Sequence, residues 1–234
     1  MNIYTIIAGV DGTGKSSLRG VLEGLNVNLG HIIDPDLISA EIKFPSEINA
    51  PRGCTQIRKG RYSLRKSEFG TKTCEQDLKV KENNNDLIRA AKISVSKIRD
   101  CLNKNISFTQ ETTLSGRTVL TTVKQARKQG YYVALYYIGL SSAEESLVRI
   151  ANRVRKGGHN IPKEDVIKRY NKRFDTLLEI ISYCDEVNFY DNENGFVKVA
   201  EIKNGQFRFV NRYRPKWIDE LNNTLNDTDH INIK

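Results

Sequence analysis

The chain has 234 residues, 38% of them hydrophobic and 28% charged. That size and balance suit one soluble α/β domain with a full core, or one domain and a small appendage. No stretch approaches the roughly 18 to 20 consecutive apolar residues that cross a bilayer. The N-terminus lacks the basic start and small-residue cleavage site of a signal peptide, so a cytoplasmic protein without a membrane span is expected. Cys54, Cys74, Cys101 and Cys184 lie far apart with no C-x-x-C, which predicts free thiols and no metal cluster. The net charge is +9, and between Lys43 and Lys72 eight Lys or Arg face two Glu. This segment is either a solvated basic face or an attractor of anionic substrates. Nucleic acid is disfavoured as a partner, because the segment has few aromatics for stacking and no reader motif.

Residues Ile3 to Ser17 read IYTIIAGVDGTGKSS, an apolar run breaking into Gly9-x-x-x-x-Gly14-Lys15-Ser16. The pattern predicts a buried strand, a phosphate-binding loop and a helix starting at Lys15. Gly9, Gly12 and Gly14 let the backbone curl, so that the N–H groups of Gly9, Val10, Asp11, Gly12, Thr13, Gly14, Lys15, Ser16 and Ser17 are candidates to cradle a nucleoside triphosphate. Lys15 can reach the terminal phosphates and the Ser16 hydroxyl can join Mg²⁺. Leu18, Val21, Leu22 and Leu25 then cover one helical face.

A short strand, His31 to Asp34, runs into Pro35-Asp36. Residues from about 44 to 85 are polar and basic and read as a long loop with some helix. Leu87, Ala91, Val95, Ile98 and Leu102 form a helical stripe. The strand Ile106 to Gln110 follows, ending at Glu111-Thr112-Thr113. Val119, Val123 and Ala126 mark a helix closed by Gly130, and Tyr131 to Ile138 is apolar enough for a strand buried on both faces. Ser142 with Glu145 forms a capping box for a helix ending at Gly157-Gly158. Pro162 opens another helix, with Val166, Tyr170, Phe174, Leu177 and Ile181 inward. Val187 to Tyr190 is a strand, and Phe196 to Lys203 and Gln206 to Val210 form a hairpin across Asn204-Gly205. A last helix spans about Pro215 to Leu225.

Strands alternating with helices imply a parallel sheet with right-handed crossovers and a ligand site at the strands' carboxyl ends. Three polar turns meet there: the phosphate loop, Asp34-Pro35-Asp36 and Glu111-Thr112-Thr113. Transfer of a phosphoryl group to a hydroxyl needs a carboxylate beside the acceptor. Asp36 is read as that base, with helix N-capping as its competing role and Asp34 as the competing carboxylate. Glu111, with Thr112 or Thr113, is placed to hydrogen-bond ligand hydroxyls. Leu114-Ser115-Gly116-Arg117 shares letters with the ABC-transporter signature, but no acidic strand motif follows and the chain lacks the inserted helical subdomain. Arg149, Arg153 and Arg155 precede Gly157-Gly158-His159, while Lys168, Arg169, Lys172 and Arg173 follow it. Two cationic helices about a Gly-Gly hinge read as a lid over about 149–173 that neutralises transferring charge. Only one or two of these cations are expected to touch phosphate. His159 is either a lid contact or an exposed loop residue.

These residues together resemble the zeta-toxin family of P-loop kinases, in a GGH-containing subgroup labelled predicted ABC-type ATPases. The carriers are Gly9 to Ser17, Asp34-Pro35-Asp36, Phe108 to Gly116, Tyr131 to Leu140, Gly157-Gly158-His159 with Ile161-Pro162, Arg169-Tyr170 and Tyr190-Asp191-Asn192. The resemblance implies a single three-layer P-loop kinase domain over 1–234, with a mostly parallel sheet, helical lid, C-terminal hairpin and basic insertion at about 44–85. It implies ATP- and Mg²⁺-dependent phosphorylation of a hydroxyl on a small-molecule acceptor, a nucleotide sugar such as UDP-N-acetylglucosamine leading, and a separate antitoxin protein as partner. Carried over by position, Asp36 is the base, and Glu111 and Thr113 contact substrate. Lys15 and Ser16 contact phosphate and magnesium, and Arg153 is the first lid arginine. The second would fall near His159, leaving Arg169 either in that role or in none. The helix ending at Leu102 offers no glutamate where toxins hold the sugar. The alternative function is a P-loop ATPase or switch acting on a protein or nucleic-acid partner.

Overall fold

In the computed structural model, residues 1–43, 72–155 and 160–227 are described, with side chains omitted at 43 and 72–84. Expectations for 44–71, for Gly157-Gly158-His159 and for the tail lie outside the described residues. The chain forms two compact units, Met1–Asp34 with Lys97–Lys234, and Pro35–Ser96.

The first unit is built on a seven-stranded sheet in the order β2-β3-β1-β4-β5-β6-β7. β1 (Ile3–Ala8), β2 (His31–Ile33), β3 (Phe108–Thr112), β4 (Tyr132–Gly139) and β5 (Glu186–Asp191) run parallel. β6 (Val197–Lys203) and β7 (Gln206–Phe209) add an antiparallel hairpin. Asn204 and Gly205 turn it with φ of 53° and 76°, the left-handed pair that a two-residue hairpin loop needs. β1 is an inner strand, buried and almost entirely apolar, and pairs on both sides, Ile7 facing Glu111 and Tyr136 in register. The result is a mixed α/β fold with a mostly parallel sheet, as the alternation of strands and helices predicted.

Helices cover both faces. α1 (Lys15–Gly24) lays Leu18 and Leu22 on Ile7, Leu29 and Ile138, with Tyr136, Tyr190 and Phe196 at the rim. Val21 and Leu25, expected on the same face, are 44% and 68% exposed; the contact with the sheet is only two side chains wide. On β1, side chains alternate between faces. Tyr4 stacks on Phe108 at 4.5 Å, and Phe108 meets Tyr131 edge-on. α4 (Thr118–Lys128) buries Val119, Leu120, Val123 and Ala126. α5 (Ala143–Arg155) begins at the expected cap, the Glu145 N–H donating to Ser142 Oγ at 3.2 Å.

The expected helix from Pro162 is two helices, α6 (Lys163–Asn171) and α7 (Asp175–Ile181). Arg173 occupies the break, its guanidinium 4.2 Å and 4.3 Å from the Tyr170 and Phe174 rings and paired with Glu220. That packing gives the residue a structural use, outside the expected cationic lid face. α8 (Lys216–Asp227) inserts Trp217 against Tyr137, and its indole N–H donates to the buried Asp191 carboxylate at 2.8 Å.

The second unit holds α2 (Pro35–Lys43) and most of α3 (Lys72–Lys104). The expected stripe from Leu87 to Leu102 is the C-terminal half of this 33-residue helix. Residues 72 to 85, within the stretch expected as a long loop with some helix, are helical. No helix among the described residues is long and apolar enough to cross a membrane.

Candidate functional site

The phosphate loop leaves β1 at Gly9 and enters α1 at Lys15. Its glycines are obligatory on steric grounds. Gly9 has φ 154°, and a Cβ there would lie 2.5 Å from the Ile138 carbonyl oxygen. Gly14 has φ 93°, and its Cβ would lie 2.7 Å from Asn192 Nδ2. Three neighbours and one internal bond hold the loop. The Gly9 N–H donates to the Thr112 carbonyl at 3.3 Å, and Thr13 Oγ1 donates to the Val10 carbonyl at 3.0 Å. Asn192, just beyond β5, donates to the Thr13 carbonyl at 2.8 Å, and Ser146 on α5 donates to the Asp11 carbonyl. Lys15 Nζ folds back to the carbonyls of Gly9 and Val10 at 3.0 and 3.1 Å.

Asp11 puts a carboxylate inside the glycine-rich loop. Arg169 from α6 compensates it at 2.8 Å. The sequence expectation for Arg169 left its role open; here it lies against the loop through Asp11. Arg149, another expected lid cation, instead ties α5 to the chain after β5, reaching Glu145 and the Asn192 carbonyl.

Beside the loop, the ends of β2 and β3 bring two carboxylates together. Asp34 and Glu111 are 5% and 4% exposed. Arg19 on α1 bridges them, with Nη1 at 3.3 Å from Asp34 and ion-paired to Glu111. Ser16 Oγ donates to the second Glu111 oxygen at 2.9 Å. Burial and the nearby Asp34 charge push the Glu111 carboxyl above its ordinary range, opposed by the Ser16 hydrogen bond, Arg19 and Lys15. Lys15, Ser16, Asp34 and Glu111, chosen from sequence, therefore converge. Arg19 was missed, although its spacing from Lys15 and Ser16 puts all three on adjoining helix positions.

The turn after β3 is unusual. Leu114 is buried with φ 56°, a left-handed conformation costly for a branched residue. Its N–H donates to Thr112 Oγ1 at 3.1 Å, while the hydroxyls of Thr113 and Ser115 are 2.9 Å apart. Thr112 is thus committed to the turn, and Thr113 stands at its outer side. Ser17 is exposed on α1, and Arg153 is half-buried in the last turn of α5. Asp36 belongs to the second unit, in the first turn of α2. His159 is outside the described residues.

No family model matches the chain. An uncharacterized protein of Haemophilus influenzae is 37% identical over 83 residues, covering 36% of this chain and 59% of that protein. Among solved structures, a chain of the native AvrRxo1-ORF1:ORF2 complex aligns over 96% of this chain with a TM-score of 0.57 at 15% identity. The same complex with ATP aligns at 0.54. This chain spans 63% of the length of that AvrRxo1 chain. A structure from the PezAT toxin–antitoxin system of Streptococcus pneumoniae aligns over 84% of this chain and 71% of its own, at 0.51 and 14% identity. At these identities the likeness is one of fold.

Proposed function

We propose that the protein is an ATP- and Mg²⁺-dependent kinase that phosphorylates a hydroxyl of a small-molecule acceptor. The observation that carries this is the pairing of a fully built phosphate loop with two buried carboxylates held beside its Ser16. The ATP complex of a protein with this fold supports the nucleotide. In the reaction, the acceptor oxygen forms a bond to the γ-phosphorus as the bond to the β,γ-bridging oxygen breaks. The acceptor proton passes to Asp36, and ADP leaves. Lys15 stabilises the charge on the leaving phosphate, with Arg153 or Arg169 taking the charge of the transferring group. Glu111 and Thr113 orient the acceptor hydroxyl.

The hydroxyl of Ser16 and the carboxylates of Asp34 and Glu111 are hard oxygen donors of the type that suits Mg²⁺. No group of three His, Cys, Asp or Glu among the described residues could hold a metal alone. When bound, Mg²⁺ supplies neutralisation of the triphosphate charge.

The leading acceptor is a nucleotide sugar such as UDP-N-acetylglucosamine, on the resemblance to zeta toxins, and a cytoplasmic setting supplies both substrates. A toxin–antitoxin source for one structural neighbour supports a separate antitoxin as partner. The test is incubation with γ-labelled ATP, Mg²⁺ and a panel of nucleotide sugars. Label in a sugar supports the reading. Label only in inorganic phosphate, or release stimulated by RNA, would favour an ATPase or switch instead. Asp36→Asn should abolish transfer while ATP affinity stays within about twofold; persistent transfer would refute the base assignment.

A further inference from the structure

Asp191, the last residue of β5, is a buried carboxylate that the proposed chemistry does not use. It is 1% exposed, and a carboxylate so placed is costly unless its oxygens are hydrogen-bonded. Both oxygens are engaged. Oδ1 accepts from the Trp217 indole N–H at 2.8 Å, and Oδ2 accepts from the Glu193 N–H at 2.9 Å and from the Tyr213 hydroxyl at 3.2 Å. With three protein donors on it, this carboxylate holds the turn after β5 rather than a ligand.

That turn presents Asn192, whose amide donates to the Thr13 carbonyl at 2.8 Å, while its own carbonyl accepts from Arg149 of α5. In a trans peptide the C=O and the N–H point in opposite directions, so holding the Thr13 carbonyl on Asn192 turns the Gly14 N–H away from it. Gly14 stands where the phosphate loop enters α1, and its N–H is among those such a loop offers to an anion. The other end of the chain of contacts is anchored in the C-terminal segment. Trp217 of α8 is buried, packs on Tyr137 with ring centroids 5.9 Å apart, and lies over Gly139, where a Cβ would come within 2.2 Å of the indole. The Tyr213 hydroxyl, between β7 and α8, also lies 3.3 Å from Glu193 in the same turn.

We propose that Asp191 is a positioning residue for nucleotide binding: clamped by Trp217 and Tyr213, it sets the turn from which Asn192 orients the Thr13–Gly14 peptide toward phosphate. The C-terminal segment from Tyr213 to Trp217 thereby contributes to nucleotide affinity through the turn. The inference rests on the kinase reading for the ligand that the loop receives, and deepens it by adding a determinant of ATP binding outside the loop, the carboxylate pair and the lid cations.

The experiment is a double-variant cycle on the full chain, Asp191→Asn against Asn192→Ala, read by titration with a fluorescent ATP analogue and by urea unfolding. Asp191→Asn keeps the size of the side chain but offers one acceptor oxygen where two are used. Alone it should weaken analogue binding about fivefold. Once Asn192→Ala has been made, it should change affinity by less than about 1.5-fold, because the path to the loop is already cut. Its effect on unfolding should persist in that background, which separates positioning from a merely structural role. Tyr213→Phe removes one donor from a residue that is 41% exposed, and carries the test if Asp191→Asn does not fold. It should weaken binding about threefold, again only when Asn192 is present. Unchanged affinity in the folded variants overturns the proposal, and so do equal losses with and without Asn192. In steady-state transfer, Asp191→Asn should raise KM for ATP by the same factor while kcat stays within about twofold. If the binding cycle behaves as expected but no acceptor takes label from ATP, the positioning role stands and the kinase reading falls. If label is transferred with a parental KM for ATP in Asp191→Asn, the kinase reading stands and the positioning role falls.

Discussion

Replacing Arg19 by Met keeps the length of the side chain and removes the charge that bridges Asp34 and Glu111. Both carboxylates are nearly fully buried, and Arg19 itself is 15% exposed. Breaking a buried pair by deleting one partner costs about 3–5 kcal/mol, because the remaining charge is left in a poor solvent. Ser16 still donates to Glu111, so the lower end, about 3 kcal/mol, is expected. For a chain of this length each kcal/mol moves the melting temperature by roughly 2–4 °C, giving a loss of about 6–12 °C. Glu111→Gln alone should do the reverse. Burial and Asp34 raise the Glu111 carboxyl, so its ionised form burdens the fold at neutral pH. Removing that charge should raise the melting temperature while lowering phosphoryl transfer, the usual conflict between stability and a working site. In the Glu111→Gln background, Arg19→Met leaves one buried carboxylate instead of two and should cost about half as much. Urea unfolding of the four proteins at pH 7.5 closes the cycle. A single-variant loss under about 0.5 kcal/mol, or strictly additive losses, would refute the idea that Arg19 acts through these carboxylates.

Three further outcomes follow from the packing. A Cβ at Gly139 would lie 2.2 Å from the Trp217 ring, so Gly139→Ala should cost about 3 kcal/mol or more by overpacking; a parent-like melting curve would contradict this. Asn192→Ala removes the donor to the Thr13 carbonyl, and ATP affinity, read by a fluorescent analogue, should fall about tenfold through loss of loop order. The hydrogen bond from Lys198, then that from Arg208, holds the Glu201 carboxyl below its ordinary range. Its contribution is therefore present above the unfolded value of about 4.5 and is lost as pH falls through the folded one. Glu201→Gln should lower the melting temperature at pH 7, with the difference shrinking as pH falls below about 4.5.

The framework was legible because it rests on strong local signals. The glycine spacing at Gly9 to Lys15, the near-continuous apolar run of buried β4, the Ser142 cap and the Asn204-Gly205 turn each specify their geometry within a few residues. Asp34 and Glu111 were also readable, as carboxylates at the ends of apolar strands. What sequence left hidden is what long-range packing decides. The break between α6 and α7 depends on Arg173 finding Tyr170, Phe174 and Glu220. The Asp11–Arg169 pair spans 158 positions, and Asn192 reaches Thr13 across 179. No periodicity reports such partners. Residues 72 to 85 lie in the stretch read as loop with some helix, and the extent of that helix stayed hidden for a different reason: a polar segment carries no apolar stripe to announce it.

The loop's partners also bear on how an anion enters. Thr112 from β3, Ser146 from α5 and Asn192 from the end of β5 fix the Gly9 N–H and two of the loop's carbonyls, so the loop is ordered by its neighbours. Ordering a loop at the moment of binding would subtract from affinity, and here that cost falls on folding instead. Lys15 donates to the neutral carbonyls of Gly9 and Val10, and a phosphate oxygen is a stronger acceptor than either. The one acidic side chain in the loop, Asp11, is compensated from α6. Its charge therefore weighs little against an incoming triphosphate, and loss of Arg169 should weaken nucleotide binding even if Arg169 never touches phosphate.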